Sequence, residues 1–421
     1  MQTPGAYIPR LVDATIDASL RSSGAVLIEG PNGCGKTWTG MTHAKSAVWV
    51  ADQTGDYMTK RLASSDPLAL LGGDQPVLID EWQGAPGLWD AVRGAVDRRP
   101  GPGQYLLTSS ATPRDGAACT GIEKVTMAPM SLAESGASIG TVSLRELLDG
   151  ETPRTIVGSW KLQDIVGSVL RGGWPGTIGM TLDDASRMPA DYLRAIAYTD
   201  ASMLDGVRRD PARFMAFLGA LARNTATLVQ NATLAREMVA VDGESASTKT
   251  VAEYIDVARR LHILREIPAW TPALRSPIRL RQSPKRILCD PSLAAAGLRA
   301  SPINLLADRK TLPLLFKTLC LRDLSVYSQV CSAGVFHYRD ETGLDVDAIV
   351  VAGDGRWMGV EIRLADAQVD AAAKSLLSLS RKMVAAGEQP PASLLVVTGY
   401  DSFAHRRDDG VVVVPVDVLG P

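Results

Sequence analysis

A glycine-rich run near the N-terminus, Gly30-Pro31-Asn32-Gly33-Cys34-Gly35-Lys36-Thr37, spaces two glycines, a lysine and a threonine as G-x-x-x-x-G-K-T. Glycines allow a tight loop whose backbone N–H groups point inward at phosphate oxygens, and the N-terminus of a following helix adds partial positive charge. In such a loop Lys36 reaches the β- and γ-phosphates of ATP and Thr37 ligates Mg²⁺. The expected nucleotide contacts are therefore Gly30, Asn32, Gly33, Cys34, Gly35, Lys36, Thr37 and Trp38. A site of this kind also needs a carboxylate at the tip of a neighbouring strand, and Pro76-Val-Leu-Ile-Asp80-Glu81 supplies two acids after a β-forming run. Asp80 is expected to hold Mg²⁺ and Glu81 to act as general base toward the attacking water. Gln104–Ser110 (QYLLTSS) ends in hydroxyls. One of Thr108, Ser109 or Ser110 is expected to face the γ-phosphate, with a plain turn cap as the competing reading.

These groups must be carried by a strand–loop–helix unit. Ala25–Glu29 (AVLIE) reads as a short buried strand, and WTGMTHAKSA after Thr37 continues as a helix. Ala47–Ala51 (AVWVA) is a second strand and Leu88–Arg98 an amphipathic helix. With AVWVA between the two motifs, an extra strand is expected between the loop-bearing strand and the Asp80 strand.

The chain has 421 residues, which predicts two to four domains. Its 46% hydrophobic and 21% charged residues exclude disorder as the main theme. Lys plus Arg number 44 against 46 Asp plus Glu, so no global field pulls the protein onto nucleic acid or anionic lipid, and any such binding needs a local patch. Cys34, Cys119, Cys289, Cys320 and Cys331 form no C-x-x-C pair, which argues against structural zinc and a disulfide framework. No apolar run reaches the roughly 18 residues that span a bilayer, and MQTPGAYIPR lacks the layout of a secretory signal. A cytoplasmic protein with no membrane partner is expected.

The segments YIPRLVD, GPNGCGKT, VLIDEW, YLLTSS, APMSLAESG with SLRELLDG, GGWP, GVRRDPARF, LARNTAT, PKRILCDPSLAAAGL and YRDETGLDVDAIV follow one another along nearly the whole chain. In that order they resemble bacterial AAA-type (AAA_14) ATPases with a C-terminal DUF4143 domain. The resemblance implies an α/β protein. Its parts would be a P-loop AAA-type core with a parallel sheet flanked by helices over 1–155, a helical connector over 156–225, a winged-helix middle over 226–300, and a small restriction-endonuclease-like domain over 301–421. The DUF4143 region would span roughly 200–365. It also implies ATP and Mg²⁺ as ligands and a homo-oligomer in which a neighbour lends an arginine. Such ATPases carry a Gly- and Arg-containing run before M-x-P-M-S-L, where this chain has Gly116-Ala-Ala-Cys-Thr-Gly121. Arg171, Arg208 and Arg209 are the candidate replacements, with surface ion pairs as the competing reading.

Beyond the core, Ala226–Val239 and Ser247–Leu261 read as two helices around a turn at Asp242-Gly243. The second is opened by Ser245, Ser247 and Thr248 and carries Val251, Tyr254, Ile255, Ala258 and Leu261 on one face. Ile263–Trp270 and Pro277–Cys289 would form a wing. Arg275, Arg279, Arg281, Lys285 and Arg286, with Arg259, Arg260 and Arg265 nearby, make one local basic cluster. Arg279, Arg281, Lys285 and Arg286 are the candidate DNA contacts, and docking to a protein partner or another subunit is the alternative.

Farther on, three strands are expected at Val335–Arg339, Asp345–Val351 and Trp357–Ile362. Asp347 and Glu361 match the acids of a PD-(D/E)xK site. Arg363 stands where that site has lysine, and Lys317 where an upstream acid is usual. A guanidinium does not readily exchange protons with water, and an ammonium repels a metal ion, so metal-dependent cleavage is disfavoured. The expected function is an ATP-binding, ATP-hydrolysing AAA-type protein whose nucleotide state controls the C-terminal module, in a DNA-related, defence or toxin–antitoxin setting. The alternatives are an ATP-regulated metal-dependent nuclease, and a non-catalytic DNA- or protein-binding regulator with structural ATP.

Overall fold

The computed structural model describes residues 7–50, 58–112, 121–238, 246–272, 283–400 and 402–421. Helix α1 (Asp13–Ser22) leads into β1 (Ala25–Glu29), the glycine loop and α2 (Lys36–His43). Then come β2 (Ser46–Trp49), α3 (Met58–Ser65), β3 (Val77–Asp80), α4 (Gly87–Arg98), β4 (Tyr105–Ser109) and β5 (Ile122–Thr126). The five strands form a parallel sheet in the order β2-β3-β4-β1-β5. An extra strand does separate β1 from β3, but it is β4; the AVWVA strand lies outside β3 at the edge. β1, β3 and β4 are buried along their whole length, as expected of strands with helices on both faces. One face packs Leu27, Ile79 and Leu107 against Leu88 and Val92 of α4; the other packs Val26, Ile28, Leu78 and Leu106 against Ile16 of α1.

After β5 the chain leaves this sheet. β6 (Val142–Ser143) pairs with β16 (Leu419–Gly420) at the C-terminus, and β7 (Ile156–Val157) pairs with β14 (Phe403–Arg406). β6, within the 1–155 expected for the core, thus pairs with the C-terminal end of the chain, and β7, at the start of the expected connector, joins the C-terminal sheet. Helices Leu162–Arg171, Arg187–Ala195 and Pro211–Arg223 follow. Asn231–Glu237 is shorter than the expected helix from Ala226 to Val239, because Ala226 adopts φ 59 and the chain is extended at Gln230. Helix Thr248–Arg260 is capped by Ser247, whose hydroxyl accepts from Thr250 N at 3.0 Å, and Val251, Tyr254, Ile255, Ala258 and Leu261 are buried as its period predicts. β8 (Leu264–Ile267) pairs antiparallel with β9 (Lys285–Leu288). Asp242, Gly243, Ser245, Arg275, Arg279 and Arg281 lie outside the described residues, as do residues 116–120 of the run where an arginine is usual.

The second sheet has the order β10-β11-β12-β13-β15-β14-β7, built from β10 (Ala333–Arg339), β11 (Asp345–Ala352), β12 (Trp357–Ala365), β13 (Ser393–Tyr400) and β15 (Val412–Pro415) with the two strands already named. Helix Val369–Ala385 covers one face. The buried helix Thr311–Val330 covers the other, within a continuous core that runs from Leu132 through the middle helices to Leu419. Among the described residues, no helix is long and apolar enough to cross a membrane.

Candidate functional site

The loop between β1 and α2 takes its shape from close backbone approach. A Cβ on Gly30 would lie 2.2 Å from the Met127 carbonyl oxygen, and Gly35 adopts φ 105 at the start of α2. Lys36 is buried, with Nζ donating to the Pro31 carbonyl at 3.0 Å. Beneath the loop, Arg10 Nη1 donates to Cys34 O at 2.7 Å, Nη2 to Ala128 O at 2.9 Å, and Nε to Glu134 at 2.9 Å. This guanidinium locks the loop to the Ala128–Glu134 segment. The YIPR sequence therefore has a physical role that spacing alone does not disclose.

At the strand tips, Asp80 Oδ1 accepts from Thr37 Oγ1 at 3.0 Å and from Thr108 Oγ1 at 2.7 Å. Burial, the largest cause, and the adjacent Glu81 charge raise the Asp80 pKa, while the two hydroxyls and Lys36 oppose them. A hydroxyl and a buried carboxylate meeting beside a glycine cradle form a donor set suited to Mg²⁺. Glu81 follows at φ 55, a left-handed conformation costly for a residue with a Cβ and characteristic of functional sites. Its backbone N donates to Thr108 Oγ1 at 2.9 Å, and its Oε2 accepts from Ser110 Oγ at 2.6 Å, Ser110 N at 3.2 Å and Gln83 Nε2.

The three consecutive hydroxyls at the end of β4 thus divide. Thr108 serves Asp80, Ser110 serves Glu81, and Ser109 turns its hydroxyl to Ala111 O at 2.5 Å. Gln83 escaped the sequence reading because nothing in its spacing marks it. Of the arginine candidates, Arg171 donates to the Thr177 and Met180 carbonyls and so braces the turn after GGWP, Arg209 is paired with Asp205, and Arg208 is exposed. Beside the loop opens a cavity of about 310 Å³, walled by Tyr7, Ile8, Trp38, Thr39, Pro175 and Gly176.

A second constellation sits in the C-terminal sheet. Asp347 on β11 accepts from Lys317 Nζ at 2.6 Å, Arg363 Nη1 at 2.8 Å and Ile362 N at 3.1 Å, and Lys285 Nζ lies 3.6 Å away. Arg363 also reaches Glu361 at 2.9 Å. The cations, with Lys285 foremost, overcome burial and hold Asp347 ionised well below the usual carboxylate range; burial and the Asp347 charge push Glu361 up toward its protonated form. Asp347, Glu361, Arg363 and Lys317 do converge, but the lysine and arginine nitrogens stand against the carboxylate where a metal would have to sit. Lys285 and Arg286 are buried: Lys285 donates to the Asp347 carbonyl at 3.0 Å, and Arg286 is held by Glu266, Val229 O and Asn231. That takes both off the surface on which a DNA backbone would be met.

Comparison with known proteins bears on the same regions. Residues 314–419, from the helix that carries Lys317 to the last strand, match the domain of unknown function DUF4143. The chain carries a DUF4143 domain. It starts and ends later than the 200–365 expected, and residues 162–304 match a separate domain of unknown function, DUF8612. Uncharacterized proteins of Mycobacterium bovis and Mycobacterium tuberculosis are each 27% identical over 409 residues, covering 96% of this chain and 83% of theirs. Among solved structures, a Walker-type ATPase of Pyrococcus abyssi superposes with TM-score 0.41 at 13% identity over 68% of this chain and 94% of its own. A signal-transduction ATPase with numerous domains from Pyrococcus horikoshii, bearing a tetratricopeptide repeat sensor, gives 0.23 at 12% over 77% and 55%.

Proposed function

We propose that the protein binds Mg·ATP at the loop Gly30–Thr37 and hydrolyses it, with Glu81 as the general base. The observation that carries this reading is the meeting of Thr37, Asp80 and Thr108 within 3.0 Å beside the glycine loop, with Glu81 held next to them. The loop amides and Lys36 would bind the β- and γ-phosphates, and the cavity at Tyr7, Trp38 and Pro175 would receive the nucleobase and ribose. Thr37 and Asp80 would hold Mg²⁺, which would supply positive charge beside the β- and γ-phosphates. Glu81 would orient a water and take its proton at Oε1, while Ser110 and Gln83 fix Oε2.

The C-terminal domain would respond to nucleotide as a metal-independent element, its centre neutralised by Lys285, Lys317 and Arg363. We do not favour the nuclease reading, because a divalent ion would have to displace these cations from Asp347. The deciding experiment compares steady-state phosphate release by wild type and Glu81→Gln. A fall in kcat of at least about a hundredfold with ATP affinity retained supports the base assignment; equal rates overturn it.

A further inference from the structure

Glu29, the last residue of β1, has a buried carboxylate. Lys124 Nζ lies 2.9 Å from Oε2, and Thr112 Oγ1 donates to Oε1 at 3.0 Å. A threonine hydroxyl has one proton to give. With it committed to Glu29, the 3.3 Å contact between Thr112 Oγ1 and His262 Nε2 makes the imidazole the donor and fixes its Nε2–H tautomer. The ring is neutral. Burial is the main cause of a pKa held down to about 4, with Lys36 and Lys124 adding to it and Glu29 and Glu81 opposing.

His262 follows the helix Thr248–Arg260, 150 residues from Thr112 along the chain, and adopts φ 56. From the same turn Arg260 Nε donates to Thr112 O at 2.9 Å, and Thr112 N donates to Arg260 O at 2.9 Å. Thr112 is thus gripped through backbone and side chain by the end of one helix of the middle module. Two residues before it, Ser110 holds Glu81.

We propose that His262 is a positioning residue for the nucleotide site: its Nε2–H, acting through Thr112, fixes the Ser110–Thr112 segment and with it the Glu81 carboxylate. The clamp makes turnover depend on where the middle module sits. Its catalytic consequence rests on the reading of Glu81 as the proton acceptor, whereas the clamp itself acts without nucleotide.

Three full-length variants separate a hydrogen-bond role from a backbone role. His262→Gln places an amide N–H near the position of Nε2. His262→Asn suits the left-handed backbone better but reaches only as far as Nδ1, and His262→Leu has no donor. The measurements are amide hydrogen exchange over 108–112 in nucleotide-free protein, kcat for ATP, and Mg·ADP affinity. Loss of the donor in the Leu and Asn variants is expected to speed exchange about tenfold and lower kcat about tenfold, with ADP affinity kept within about twofold. The Gln variant is expected to stay within about threefold of wild type on every readout. A normal Asn variant beside an impaired Gln variant would show that backbone strain matters and overturn the proposal, as would unchanged exchange in all three. Faster exchange with unaltered kcat breaks the link to Glu81. A wild type that turns over no ATP counts against the nucleotide reading instead, and exchange alone then decides the clamp.

Discussion

At the scale of single residues, the site divides labour among side chains that look interchangeable in the sequence. Thr108, Ser109 and Ser110 are consecutive hydroxyls, yet side chains of an extended chain alternate between faces, which separates Ser109, turned to Ala111 O, from Thr108 and Ser110, which reach Asp80 and Glu81. Thr108 lies 2.7 Å from Asp80 Oδ1 and 2.9 Å from Glu81 N. Thr108→Val keeps the shape and removes both bonds, leaving a buried carboxylate short of a donor. Its expected effect is a fall in kcat of about tenfold or more with a largely unchanged fold, measured as phosphate release beside circular dichroism. The meeting of Thr37 with Asp80 beside the glycine loop was legible in the sequence, because a strand–loop–helix unit and a neighbouring strand ending in acids bring those residue types to one edge of a parallel sheet. Gln83, Arg10 and His262 were not legible, since their roles come from bonds that tertiary packing alone creates.

Single elements were read well wherever burial enforces one pattern. β1 matches the expected bounds, and the three C-terminal strands appear within three residues of theirs. What sequence order did not disclose was sheet order, because β4 inserts between β1 and β3 through crossovers that local periodicity does not record. Helices α1 and α2 illustrate an element contact with a pH signature. His43 at the end of α2 bonds Asp17 at 2.8 Å and Asp13 at 3.2 Å on α1. The Asp13 hydrogen bond is the largest cause raising the His43 pKa above its ordinary value. A raised folded-state pKa means that the contribution is complete below the unfolded value near 6.5 and fades as pH climbs through the folded value. Wild type should therefore melt about 1–3 °C above His43→Gln at pH 6, and the gap should close by about pH 9. A gap that stays constant across that range would remove the ion pair from the account.

For the whole molecule, the continuous core from Leu132 to Leu419 is stitched by a buried charge group that also touches segments next to the candidate nucleotide site. Arg322 is bound by Asp290 at 2.8 Å and by Asp323 at 2.7 Å. Asp290 also accepts from Gly173 N at 2.9 Å, and Asp323 from Leu132 N at 3.1 Å. The helix that opens the DUF4143 domain is thereby tied to GGWP and to the segment that Arg10 joins to the glycine loop. Breaking a buried ion pair leaves uncompensated charge, so Arg322→Met should cost about 3–5 kcal/mol, read as a lowered midpoint in urea. Double replacement with Asp290→Asn and Asp323→Asn should recover part of that loss. No recovery would show that the arginine acts by packing rather than by charge.

The central claim is that the amides from Gly30 to Thr37 grip a triphosphate. It is tested most directly by calorimetric titration of Mg·ATP into protein stripped of bound ligand, with Lys36→Ala alongside. Saturable binding at one site per chain, weakened at least about tenfold by Lys36→Ala, is the predicted result. No heat of binding up to millimolar Mg·ATP, or an isotherm that Lys36→Ala leaves unaltered, would contradict it.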